Sequence, residues 1–155
     1  MIDVDVQIRL GSEVDAPALA GLRWKRANQD HGLQLDNLDE FVAALREWMR
    51  EHPGHRAFVA EAGGEVVGMA WLAVLDRVPT ATRYSRRGGD VQSVFVVPEL
   101  RDRGVGALLV SAILDEAHRL GLEHVTVHSS PRAVPFYRRN GWVHDPESLT
   151  WFPEA

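Results

Sequence analysis

The period of the apolar positions changes several times along the chain, and each change marks an element. Val4 to Arg9 alternate weakly, the pattern of a first strand. Ser12 precedes Asp15 by three residues, the spacing of a capping box. Val14, Ala18, Leu22 and Leu19 then share one helical face, which predicts a helix to about Asn28. Asn37 and Glu40 repeat the capping signal. Leu38, Phe41, Val42, Leu45, Trp48 and Met49 follow a period of 3.6, so a second helix ends before Pro53. Ala57 to Ala62 and Val66 to Leu75 read as strands joined at the Gly63-Gly64 turn, the second long and apolar enough to be central. Residues 77–89, with Pro79, Ser85 and Gly88-Gly89, read as a loop. Asp90 to Val97 is the next strand, stopped by Pro98. Gly104 to Leu120 has the clearest helical stripe, with Val105, Leu108, Leu109, Ala112, Ile113, Ala117 and Leu120 on one side and Gly121 as C-cap. His124 to His128 reads as a strand, Ala133 to Asn140 as a short helix, and Trp142 to His144 with Leu149 to Phe152 as a terminal strand pair.

The order β, α, α, β, β, β, α, β, α, β, β combines an antiparallel hairpin with a βαβ unit, so the sheet is expected to be mixed, with the strands at Asp90–Val97 and His124–His128 as parallel neighbours. The chain of 155 residues has the size of one domain, expected over 1–155, and can bury one core. It has no cysteine, which excludes disulfides, thiolate metal sites and a cysteine nucleophile, and fits a reducing cytoplasm. No metal site is expected. Asp3 and Asp5 in an N-terminus without a long apolar run argue against a secretory leader, and no apolar run approaches the ~18 residues of a membrane span. A net charge of −5 argues against a nucleic-acid partner. Positive charge is nevertheless local: Arg83, Arg86 and Arg87 form a run, and Arg101 and Arg103 flank the start of a glycine pair.

The segment Arg101-Asp102-Arg103-Gly104-Val105-Gly106-Ala107 carries the best chemical signal. A helix start leaves backbone N–H groups without partners and favours an anion, glycines allow close approach, and arginines add charge-assisted bonds. A pyrophosphate fits such a place. A nucleotide P-loop needs a GK[ST] ending, and a dinucleotide-binding loop needs a third glycine where Leu109 stands, so both are excluded. On this pattern alone, a plain strand–helix turn remains as good a reading.

The stretch Val96-Val97-Pro98-Glu99-Leu100-Arg101-Asp102-Arg103-Gly104-Val105-Gly106 resembles the coenzyme-A motif of the GNAT N-acetyltransferase superfamily, whose core is [QR]-x-x-G-x-[GA]. Ser130-Pro131-Arg132-Ala133-Val134-Pro135-Phe136-Tyr137-Arg138-Arg139-Asn140-Gly141-Trp142 is similar to its second signature, an alanine leading to an FY pair and then to a glycine–aromatic pair. The order of elements matches along nearly the whole chain, but only residues 90–142 carry specific motifs.

The resemblance implies an α/β (α+β) fold with a GNAT-like mixed central sheet, a splayed parallel strand pair and about four flanking helices. It implies acetyl-CoA as acyl donor, bound by Phe95 and Val96 on a bulged strand and by Arg101, Asp102, Arg103, Gly104, Val105, Gly106 and Ala107. The Val96 N–H would polarise the thioester carbonyl. Tyr137 stands where similar proteins keep a proton donor for the departing thiolate. Ser130 replaces an asparagine that often bonds the coenzyme. Asp90 lines up with a catalytic glutamate of some similar enzymes, and alternation places Asp90, Gln92, Val94 and Val96 on one face. His128 is the second candidate for the base. Ser129 and Ser130 lack a His/Asp partner at convincing spacing for a nucleophile.

The implied reaction is direct attack by an amine in a ternary complex. The acceptor is a small molecule by preference, with a peptide or protein amine open, and specificity falls to Trp24, Arg26, His31, Trp48, Tyr84, Arg86 and Arg87. A catalytically silent acyl-CoA sensor and a purely structural domain are the competing readings. A homodimer through the sheet edge or the C-terminal strands is an open option.

Overall fold

The computed structural model describes residues 5–154. Val4, where the first predicted strand was to begin, lies outside them. Five strands form one sheet in the order β1-β2-β3-β4-β5. These are β1 (Val6–Leu10), β2 (His55–Ala62), β3 (Glu65–Arg77), β4 (Arg86–Val96) and β5 (Val125–Val127). Neighbours are antiparallel except β4 and β5, which are parallel. The helices are α1 (Ala16–Asp30), α2 (Leu38–Glu51), α3 (Val105–Leu120) and α4 (Val134–Arg139). None of the described helices is long and apolar enough to cross a membrane.

β3 is central because its run from Val67 to Ala73 is buried on both faces. On one face Leu19 and Leu22 of α1, with Leu45, Trp48 and Met49 of α2, pack on Ala57, Val59, Met69, Trp71 and Phe95. On the other, Val105, Leu109 and Ile113 of α3 pack on Phe58, Ala60, Val67, Ala70, Leu72 and Val91. The result is three layers, with α1 and α2 above the sheet and α3 below.

α1 begins at Ala16, after a short 3-10 turn over Glu13–Asp15. Leu19 and Leu22 are buried as expected, with Ala16 and Ala20 beside them, whereas Ala18 faces solvent and Val14, in the turn, is 81% exposed. The capping box does form: the Asp15 carboxylate accepts the Ser12 N–H at 2.8 Å, and also two Arg9 donors at 2.7 and 2.9 Å. Arg9, foremost among these, holds the Asp15 carboxyl below its ordinary value. A depressed folded-state value contributes stability at neutral pH and loses it as pH falls through that value. Asp15→Asn is therefore expected to cost about 1 kcal/mol at pH 7, moderated by the solvent around Arg9. The difference from the native protein should shrink in urea melts as pH falls below the ordinary carboxylate range; a pH-independent difference would mean the charge is immaterial.

β4 starts at Arg86, four residues before the expected Asp90. The glycine pair there is strand: a Cβ on Gly89 would lie 2.9 Å from Leu72 Cδ1 and 3.0 Å from Leu122 Cδ1, so two core leucines occupy the space. The C-terminal strand pair does not form. Asp145 instead closes a turn, its Oδ1 accepting the Glu147 N–H at 2.9 Å, and Leu149 beyond it is 91% exposed. Among the described residues, β5 has no strand on its outer side.

Candidate active site

The site is built where β4 departs from its neighbours. Between the pairs Trp71–Gln92 and Met69–Phe95, β4 has Ser93 and Val94 where β3 has only Ala70. Ser93 adopts φ 61°, the left-handed region that a serine rarely visits, so this is a bulge. The extra residue inverts the alternation. Asp90, Gln92 and Phe95 lie on the α1/α2 side, while Val94 and Val96 pack with α3. The expectation of Asp90, Gln92, Val94 and Val96 on one face is thus corrected by the bulge.

β5 pairs with β4 only at Gly89, Asp90 and Val91, although β4 continues to Val96. Past Val91 the two strands part. Val97 N–H donates to Val67 O at 2.9 Å with Gly68 opposite Val96, an arrangement that turns the Val96 amide away from β3 and toward the gap. The Val96 carbonyl accepts Arg101 Nε at 3.0 Å, and the Arg101 guanidinium lies 5.3 Å from the Phe95 ring centroid. Arg101 therefore fastens the loop to the strand end.

The loop then turns through Asp102, φ 62°, and Gly104, φ 83°. Gly104 is the N-cap of α3 and has no side chain to cap with. The first intrahelical bond is Leu108 N–H to Gly104 O at 3.1 Å, so the N–H groups of Val105, Gly106 and Ala107 point out of the helix end uncapped. Arg103 is exposed and has no acidic partner among the described residues. Phe136 of α4 rests on Gly106, where a Cβ would stand 3.4 Å from Phe136 Cζ. α4 thereby brings the second sequence signature against the first.

Tyr137 is buried, with ring centroids of Phe136 at 5.0 Å and Trp142 at 5.4 Å. Its hydroxyl makes no hydrogen bond within the described protein and is not sealed from solvent, so it reaches open space beside the core. Burial pushes the phenol above its ordinary value, and the charge of Arg26 pulls the other way.

Asp90 lies in a row across the sheet, His55–Ala73–Asp90–Thr126. Its Oδ1 accepts Thr126 Oγ1 at 2.8 Å and its Oδ2 accepts Gln92 Nε2 at 3.1 Å, so the carboxylate is held in place. His55 in the same row was not picked out from sequence. Burial, with the neighbouring His52, holds its imidazole toward the neutral form, and Asp90 opposes this. His128 lines, with Thr126 and Tyr137, a cavity of about 720 Å³ along the outer edge of β5, bounded by α3, α4 and residues 141–150. The structure does not bring it into the row with Asp90. Ser130 is exposed, and its carbonyl accepts the Ala133 N–H at the head of α4 at 3.0 Å.

The arginine run has other employment. Glu123 accepts Arg86 Nε and Nη2 at 2.8 and 2.9 Å, with Arg83 at 3.2 Å and Arg77 at 3.6 Å. Arg87 donates to Leu120 O at 2.7 Å, at the end of α3. These contacts tie the β3–β4 connection to the turn before β5. Tyr84 is 81% exposed, and Trp48 packs against Trp71, His52 and His55. Arg26, among the residues expected to set specificity, is one whose charge acts on Tyr137.

A protein-family model described as the acetyltransferase (GNAT) family matches residues 22–142. The glucosamine 6-phosphate N-acetyltransferase of Trypanosoma brucei brucei is 27% identical over 143 residues, 90% of each chain. Among solved structures, a predicted acetyltransferase with acetyl-CoA from Clostridium acetobutylicum superposes with a TM-score of 0.74 at 21% identity over 96% of each chain. An aminoglycoside N-acetyltransferase in complex with coenzyme A gives 0.74 at 18% identity, over 99% of this chain and 98% of its own. At these identities the structural likenesses are likenesses of fold.

Proposed function

The chain belongs to the acetyltransferase (GNAT) family and is an acetyltransferase, and from that premise we propose that it transfers the acetyl group of acetyl-CoA directly to a primary amine of a small molecule. The observation that carries this is the uncapped start of α3 beside the opening between β4 and β5. Three outward N–H groups and the Arg103 side chain suit a pyrophosphate, and the strand opening leaves room for an extended arm along Phe95 and Val96. In this reading residues 1–155 act as one domain, and the donor supplies an activated thioester.

The protein's own groups divide the remaining work. The Val96 N–H, turned into the gap, donates to the carbonyl oxygen as it gains charge. Tyr137 gives its proton toward the departing sulfur; burial keeps the phenol protonated, as an acid must be. Asp90, fixed by Thr126 and Gln92, receives the amine proton directly or through water. The free hydroxyl of Tyr137 favours this reading over a silent acyl-CoA sensor, which has no use for an acid there.

Calorimetric titration of the purified protein with acetyl-CoA tests the proposal. One-site binding at about 1–100 μM is expected, followed by thiol release when a suitable amine is added. A folded protein that binds no acetyl-CoA would reduce the 101–107 segment to a structural turn.

A further inference from the structure

Arg23 and Arg26 differ from most of the protein's structurally bonded arginines. Arg9, Arg50, Arg56, Arg77, Arg83, Arg86 and Arg119 each face a carboxylate, and Arg87 caps α3. Among the described residues, neither Arg23 nor Arg26 has an acidic partner. They stand three apart on α1, hence on one side of its last turns. Arg23 Nη1 donates to Ser93 Oγ at 2.5 Å, so the guanidinium is anchored at the β4 bulge. Arg26 lies within electrostatic reach of Tyr137 on α4. The pair therefore spans the two elements that flank the proposed reaction centre.

Arg23 is exposed, and partial desolvation, followed by the charge of Arg26, lowers its pKa. Two like charges held there destabilise the empty protein, and an anion between them would offset that. The donor's pyrophosphate is an unsuitable candidate. Its place is at the start of α3, which packs on the opposite face of the sheet.

Resting on the acetyl-transfer reading, we propose that the acceptor amine also carries an anion, a carboxylate or a phosphate, and that Arg23 and Arg26 hold it. A guanidinium has five N–H donors, so Arg23 keeps several for the ligand after its bond to Ser93. The same charges disfavour an ammonium ion nearby and so promote the neutral amine that attacks. They repel a polycation. The acceptor class is thus an anionic amine, and polyamines and aminoglycosides are poor fits.

The test is initial-rate kinetics at saturating acetyl-CoA on matched amines, glucosamine 6-phosphate against glucosamine and β-alanine against β-alaninamide, with spermidine as polycation. In at least one pair kcat/KM should favour the anionic member by about tenfold or more, the scale of one charge-assisted hydrogen bond; which pair responds separates phosphate from carboxylate. Arg23→Gln and Arg26→Gln should each shrink that preference about tenfold, chiefly through KM, and Arg23→Lys should restore part of it. Preference for the neutral members or spermidine, or a preference untouched by the glutamine variants, overturns the inference. If acetyl-CoA binds but no amine turns over, arginine Nε resonances of the coenzyme-A complex are titrated with β-alanine and inorganic phosphate. A saturable shift lost in Arg23→Gln supports the anion site, and no shift refutes it. Failure to bind acetyl-CoA strikes the acetyl-transfer reading instead, and the same titration on the protein alone then decides the anion site.

Discussion

Gly106→Asp is expected to weaken acetyl-CoA binding by at least about 100-fold while leaving the protein folded and slightly more stable. Gly106 is the second residue of α3, and its N–H is one of the three uncapped donors. A carboxylate there competes for those donors and places like charge beside a pyrophosphate. Losing one charge-assisted bond and adding repulsion each act on the scale of about 1.5–3 kcal/mol, and about 1.4 kcal/mol is tenfold in affinity. Stability should move the other way. Gly106 is helical, the new Cβ meets Phe136 at an ordinary 3.4 Å, and an acid in a first helical turn favours the helix by about 0.3–1 kcal/mol. Thermal melting and calorimetry on one sample check both halves. A folded variant that binds acetyl-CoA normally would move the site away from this loop.

Tyr137→Phe should lower kcat by about 100-fold and change the acetyl-CoA dissociation constant by less than about twofold. The ring contacts with Phe136 and Trp142 survive the substitution, and the hydroxyl has no protein partner to lose. Little stability is therefore at stake, and a fall in rate reports chemistry. An unchanged kcat would remove Tyr137 as the acid. Asp90→Asn in parallel separates the two proton transfers, because loss of a base is relieved at high pH, where the amine deprotonates unaided.

Where a single local force decides, the sequence is easy to read. The long apolar run of β3 and most of the α3 stripe appear in the structure as expected, because burial on one face or on two leaves a clear period; Leu108 is the exception, 47% exposed, with Val110 buried in its place. The 101–107 loop was equally visible, being contiguous and headed by glycines. What escaped depends on residues far apart. Gly88-Gly89 looked like a turn because the leucines that require glycine there, Leu72 and Leu122, come from other elements. The terminal strands fit by alternation, but a strand needs a partner, and residues 141–150 turn at Asp145 and border a cavity beside β5 instead of pairing with it. Arg23 and Ser93 are 70 residues apart, and nothing local marks either one. A serine in left-handed conformation carries no composition signal, so the inverted phase at Val94 and Val96 was not visible.

That inversion marks one extra residue absorbed at Ser93. With the extra residue, one strand shows Asp90 and Gln92 to one layer and, four positions on, Val94 and Val96 to the other. Deleting Ser93 would leave Val94, Phe95 and Val96 opposite Ala70, Met69 and Gly68 and on their present faces, because the bulge already absorbs the extra residue. What would go is the bulge itself, with its local bend of the strand and the hydroxyl that holds Arg23. Length at this point sets the course of the strand end past the opening, and the facing of its side chains is independent of it.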